Sequence, residues 1–201
     1  MDFIEPATTE TAKALLGKLL LHETEHGLVG GYIVETEAYV GAEDRACHTF
    51  DNKRTPRLAS MYEKGGTIYI YSMHTQHMLN IVTKEKDMPE AVLIRAIQPL
   101  TNQKLMIKNR GKEGLLLTNG PGKLTQALAI TTALDGQLLN EGKLFLHPSD
   151  QLLPKAVIAS PRIGIPNKGK WTAALLRYHV AGNPYVSGMK KREMLPVHET
   201  W

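Results

Sequence analysis

The chain has 201 residues, 42% hydrophobic and 22% charged, enough for one domain with a substantial core and too apolar for disorder. A single cysteine, Cys47, excludes an internal disulfide framework, and the longest apolar stretch, residues 14–21, is broken by Gly17 and Lys18, so no segment spans a bilayer. The net charge of +4 permits a polyanionic partner without arguing for one.

In chain order, Thr8 or Thr9 caps a helix through Glu10 to about residue 20, with Ala12, Leu15, Leu16 and Leu19 on one face. Residues 18–23 and 28–40 read as extended patches around Gly27, a hairpin pattern. Residues 42–61 are polar and irregular. Strand-like runs follow at 67–72, 79–83 and 91–97, then a helix at 103–108. Gly120-Pro121-Gly122 opens another helix at 123–130, and short strands close the series at 144–147, 156–159 and 175–180. Residues 190–201 are polar and expected to fray. There is no repeat or linker, so residues 1–201 read as one domain. Many short strands without strict β-α-β alternation favour an α+β fold with a largely antiparallel sheet.

The chemistry concentrates in residues 33–40. A period of two puts Val34, Thr36, Ala38 and Val40 on a core face. Ile33, Glu35, Glu37 and Tyr39 fall on the other, a face suited to a wet groove. In residues 67–71 the isoleucines share one face and Tyr69 and Tyr71 the other. Tyrosines beside a carboxylate make a cage for a flat, preferably cationic ligand. His48 lies in the irregular segment among Arg45, Lys53, Arg54, Thr55 and Arg57. Asn80 and Arg95 interrupt apolar strands, and a buried arginine needs a carboxylate such as Glu35 or Glu37. Lys123 follows a Gly-Pro-Gly turn at a helix start, a place that favours phosphate.

These segments, in this order and spacing, resemble the alkyladenine type of 3-methyladenine DNA glycosylase, a base-excision repair family. The resemblance runs from about Ala14 to Ser187. It rests on Val34-Glu35-Thr36-Glu37-Ala38-Tyr39, Glu43-Asp44 with His48, Thr55-Pro56-Arg57, Gly66-Thr67-Ile68-Tyr69-Ile70-Tyr71, Asn80, Val92-Leu93-Ile94-Arg95-Ala96, residues 120–128 and Arg162-Ile163-Gly164-Ile165. It implies that Glu37 is the general base that activates water, with Arg95 and the Ile163 carbonyl holding that water. Tyr39, His48 and Tyr71 would sandwich the extruded base, and Asn80 would exclude the guanine amino group. Thr55, Met61 and Lys123 would touch the DNA backbone or duplex. The implied fold is one mixed domain with a curved antiparallel sheet, flanking helices and a protruding DNA-contacting β-hairpin. The family's Tyr-Gly-Met after the second tyrosine is absent, so Met73 or His74 becomes the candidate wedge for the gap left by a flipped nucleotide.

The expected enzyme is a monofunctional glycosylase acting on 3-methyladenine-type bases, hypoxanthine and ethenoadenine in double-stranded DNA. It would work as a monomer, without metal or cofactor, in the cytoplasm, since no leader peptide is evident. Charge division agrees: residues 1–44 hold nine acidic and two basic side chains, a balance of −7, and the remainder carries +11. Three other readings compete. Glu35 and Glu37, roughly 7 Å apart on a strand, suit a glycoside hydrolase pair. His74-Thr75-Gln76-His77 with Cys47-His48 has a weak zinc-site spacing. A non-catalytic nucleic-acid module would explain the basic remainder alone.

Overall fold

The computed structural model describes residues Met1–Trp201. Its first half contains α1 (Thr8–Ala14), β1 (Lys18–Thr24), β2 (Gly27–Tyr39), β3 (Ile68–Met73), β4 (Gln76–Thr83) and β5 (Glu90–Thr101). Then come α2 (Gln103–Arg110), α3 (Pro121–Ala127), β6 (Leu144–Gln151), β7 (Val157–Ser160), α4 (Lys170–Ala173) and β8 (Arg177–Val180). All strands join one eight-stranded sheet, ordered β3-β4-β5-β2-β1-β6, with β8 also on β2 and β7 on β8. Every pairing is antiparallel, so the class is α+β as expected. No helix is long and apolar enough to cross a membrane.

β2 is the spine. One edge pairs with β5; the other pairs with β1 through residues 27–32 and with β8 at Glu35–Glu37. Both edges are therefore occupied where the two glutamates sit. The expected alternation breaks there. Ile33 faces Ile97, Glu35 faces Ala96 and Thr36 faces Ile94, so the register shifts on both sides of Glu35 and Arg95 is left without an opposite residue. Bulges of this kind re-aim side chains. They put Ile33 in the same hydrophobic core as Val34, not beside Glu35 in a groove.

The sheet has two unlike faces. On one, a core of 31 residues packs Val34, Ala38, Ile70, Leu79, Ile81 and Ile94 against α1, α2 and α3. On the other, a cluster of seven, including Met61, Tyr62, Tyr69 and Val82, sits under short 3-10 turns at Gly41–Glu43, Phe50–Asn52 and Pro56–Tyr62. Tyr39 and Tyr71 pack against this smaller cluster.

Three expectations are corrected. α1 ends at Ala14, not residue 20, because Gly17 turns the chain at φ +79, where a Cβ would lie 1.8 Å from the Leu152 carbonyl oxygen. Its N-cap is Ala7 rather than a threonine: the Thr8 hydroxyl is engaged with Thr83 at 2.7 Å and with the Glu90 carboxylate. The last residues, expected to be loose, are anchored to the body of the fold. Trp201 donates from Nε1 to Gln98 at 2.9 Å and packs on Tyr32, and Thr200 is buried against Asn183.

β4 also starts earlier than its apolar run. His74 and Thr75, at φ 48 and 67, form the two-residue turn joining β3 to β4. Two-residue hairpin turns favour such left-handed residues, usually Asn-Gly, so this turn gave no sequence signal. Its tip, residues 73–76, is exposed. α3 braces it: Thr125 donates to the His77 carbonyl at 2.8 Å, and a Cβ on Gly122 would lie 1.8 Å from Gln76 Oε1. The His74 and His77 pair thus lies on a turn and strand, without the helical spacing a zinc reading requires.

Candidate active site

Glu35 and Glu37 are both 0% exposed, which corrects the wet groove. A buried carboxylate needs charge compensation and filled lone pairs. Glu35 has both. Oε1 accepts from Arg95 Nε at 3.1 Å and Arg177 Nε at 2.6 Å; Oε2 accepts from the Ser187 N–H at 2.8 Å and the Ser187 hydroxyl. Those donors fill all four lone-pair directions of a carboxylate. Burial pushes the Glu35 carboxyl up, but Arg95, Arg177 and Ser187 outweigh it and hold it below the usual carboxylate range.

Glu37 is less fully donated. Its Oε1 accepts the Ile163 N–H at 2.8 Å and forms an ion pair with Arg95 NH1 at 3.2 Å. Its Oε2 receives only the Tyr39 hydroxyl, at 3.0 Å. No second protein donor reaches Oε2. Burial first, then the Glu37 charge, pushes the Tyr39 phenol well above its ordinary value, so it remains a donor. Burial works against the charge on Arg95, but Glu37 and Glu35 outweigh it and raise its pKa. A glycoside hydrolase pair would need two free carboxylates, and Glu35 offers no free lone pair.

Tyr39 leads from Glu37 into a cavity of about 260 Å³. Tyr39, His48, Tyr71, Asn80, Arg95 and Ile163 all line it, so the residues expected to bind the base converge. His48 meets Tyr71 edge-on at 4.5 Å between ring centres, and its Nδ1 lies 3.0 Å from the Tyr69 hydroxyl. Desolvation against these rings, with Arg57 and Lys53 nearby, holds the His48 pKa below its ordinary value. The ring is therefore neutral at neutral pH. Burial and the Glu37 charge push the Tyr71 phenol up to about 12. Asn80 donates both Nδ2 hydrogens, to the Tyr69 and Met78 carbonyls at 3.1 Å each, so its Oδ1 is the atom left for a ligand.

The remaining expected residues divide. Met73 lines the cavity and is 47% exposed, whereas His74 stands on the hairpin turn. Met61, expected on the duplex, is instead 2% exposed and forms cavity wall, because the Pro56–Tyr62 turn points it inward. Thr55 opens on a separate depression with Lys53 and Arg57. Lys123 is not in the cavity wall; its Nζ donates to Asn119 at 2.7 Å, although Pro121, two residues earlier, lines the cavity. The Ile163 backbone N–H donates to Glu37 at 2.8 Å, a contact beside the hold on water that the resemblance gives to its carbonyl.

Sequence reasoning missed Arg177 and Ser187, and gave Asp44 and Arg162 no role. Arg177 had the same signal as Arg95, a lone cation in an apolar strand. Two neighbouring strand carboxylates needed more than one arginine.

The Methylpurine-DNA glycosylase family model matches residues 2–184. A Staphylococcus haemolyticus protein, provisionally named a 3-methyladenine DNA glycosylase, is 51% identical over 201 residues, covering 100% of both chains. Proteins of the same name from Staphylococcus epidermidis and Staphylococcus aureus are 50% and 49% identical, each over 100% of this chain and 98% and 100% of their own. Family match and full-length relatives agree with the aromatic cavity and its carboxylate: the chain belongs to the methylpurine-DNA glycosylase family, hydrolases of N-glycosyl bonds in DNA repair.

Proposed function

We propose that the chain is a monofunctional glycosylase that extracts methylated or deaminated purines from double-stranded DNA and hydrolyses their N-glycosidic bond with water activated by Glu37. The observation that carries this reading is the Glu37 carboxylate held directly behind Tyr39, Arg95 and Ile163, three residues that line a cavity walled by flat rings. At about 260 Å³ the cavity sits just below the roughly 300–1,000 Å³ of drug-sized pockets, a fit for one flat base.

The bond lies inside the duplex, so the nucleotide swings out. Met73, apolar and at the cavity wall, is the better-supported wedge; His74 stays at the turn. Thr55 and Lys123 contact the phosphate backbone without reading sequence. Tyr39, Tyr71 and neutral His48 sandwich the base. A cationic 3-methylpurine gains cation–π attraction there, whereas hypoxanthine and ethenoadenine depend on stacking and hydrogen bonds. Asn80, in the cavity wall, takes the family's role of excluding the guanine amino group by shape.

Glu37 Oε2 then accepts the proton of a water held with Arg95 and the Ile163 backbone, as the sugar develops oxocarbenium character. Oxygen bonds to C1′, the base leaves with the glycosidic electron pair, and an abasic site remains. No lysine enters the reaction, and neither metal nor cofactor is required. One copy acts on one lesion, in the compartment that holds the DNA. Duplex oligonucleotides each carrying one lesion, cleaved by alkali at abasic sites, test this. Glu37→Gln should bind lesion duplex normally and lose excision by about 10²- to 10⁴-fold. Wild-type excision by that variant refutes the assignment.

A further inference from the structure

Outside the contacts of Glu37 lies a second buried ion pair. Arg162 and Asp44 have fully buried side chains and meet through both guanidinium NH groups, NH2 reaching Asp44 Oδ1 at 2.8 Å. Arg162 NH1 also donates to the Ala38 carbonyl at 3.1 Å, the residue between Glu37 and Tyr39. The guanidinium lies 4.7 Å from the centre of the Tyr39 ring. Its own chain neighbour, Ile163, supplies the N–H on Glu37. Asp44 in turn accepts from the Ala46 N–H at 2.9 Å and the Val40 N–H at 3.4 Å, shaping the loop that leads to His48.

Three separate pieces of the site thus meet on one pair: the end of β2 with Glu37 and Tyr39, the loop carrying His48, and the loop carrying Ile163. The pair is poorly built for stability alone. Arg162 Nε is buried with no protein acceptor in reach, and an unmet buried donor is a cost to stability. Buried ion pairs are often no better than apolar substitutes of the same volume.

We propose that Asp44 and Arg162 are positioning residues of the hydrolysis, seating the Ile163 N–H and the Tyr39 hydroxyl on Glu37. This rests on Glu37 being the base. Neither residue touches the substrate; their effect passes through Ile163 and Tyr39. A rigid fork is needed because one cation must hold a carboxylate, a carbonyl and a ring at once. Lysine keeps the charge and loses that geometry.

The test compares wild type, Glu37→Gln, Arg162→Lys and Asp44→Asn on the lesion that wild type removes fastest. Thermal melting reports folding, competition binding reports Kd for the lesion duplex, and single-turnover excision reports the chemical step. Folded Arg162→Lys should excise on the order of 10- to 100-fold more slowly, as expected of a misplaced catalytic group. Its Kd should stay within about threefold of wild type, the signature of an interaction made in the transition state. If Arg162→Lys does not fold, Asp44→Asn is read by the same criteria. A wild-type rate, rate and affinity falling together, or failure of both variants to fold overturns the positioning role. An active Glu37→Gln instead overturns the base, which separates the two failures.

Discussion

Residues 94 and 95 of β5 are neighbours in the chain and belong to different worlds. Ile94 is fully buried in the 31-residue core against the helices. Arg95 projects into the cavity face and holds both glutamates. The core face is apolar and redundant, each side chain one of many. The cavity face is thin, with a cluster of seven buried hydrophobic residues, and is held by ion pairs and named hydrogen bonds. Stability is therefore distributed on one side of the sheet and concentrated in a few polar groups on the other.

The hardest test of that contrast is Glu35→Gln, which leaves Arg95 and Arg177 without their shared carboxylate. Unpairing a buried charge should destabilise the fold by about 3–5 kcal/mol in denaturant unfolding at pH 7. The pH dependence has a definite sign. Because the folded pKa of Glu35 lies below the ordinary value of about 4.3, its stabilisation is present above that pH and lost as pH falls through the folded value. The gap between wild type and Glu35→Gln should accordingly narrow in acid. A constant gap would mean that Glu35 contributes shape and not charge.

Tyr71→Ala should weaken binding of lesion duplex relative to undamaged duplex by about 1–3 kcal/mol, the usual worth of one stacking contact. Equal weakening on both duplexes would remove Tyr71 from the base pocket. Ile94→Val, the mildest change, should cost about 0.5–1.5 kcal/mol of stability and leave single-turnover excision untouched. Slower excision in folded Ile94→Val would show that the two faces are coupled after all.

The core face was legible in the sequence where alternation in residues 67–71 puts Ile68 and Ile70 in the large core and Tyr69 and Tyr71 on the other face. The cavity residues Tyr39, His48, Tyr71, Asn80 and Arg95 were legible as polar or flat intruders and through the family resemblance. What failed depended on contacts distant in sequence. The bulges beside Glu35 arise from β5, 60 residues away, and Ser187 reaches Glu35 across 152. Gly17 ends α1 because of Leu152, and Trp201 is ordered by Gln98. Local propensity carries no trace of such partners.

Cys47 had no role in the sequence and has a place in the structure, as buried cavity wall with its sulfur 3.0 Å from the Thr49 hydroxyl. Burial raises its pKa, so the side chain stays a thiol. Thiolates, not thiols, attack electrophiles. Reagents that methylate purines also methylate reactive sulfur, and a repair enzyme meets its substrate wherever such reagents have been. The one thiol of this chain is thereby a poor trap for the poison whose products the chain removes.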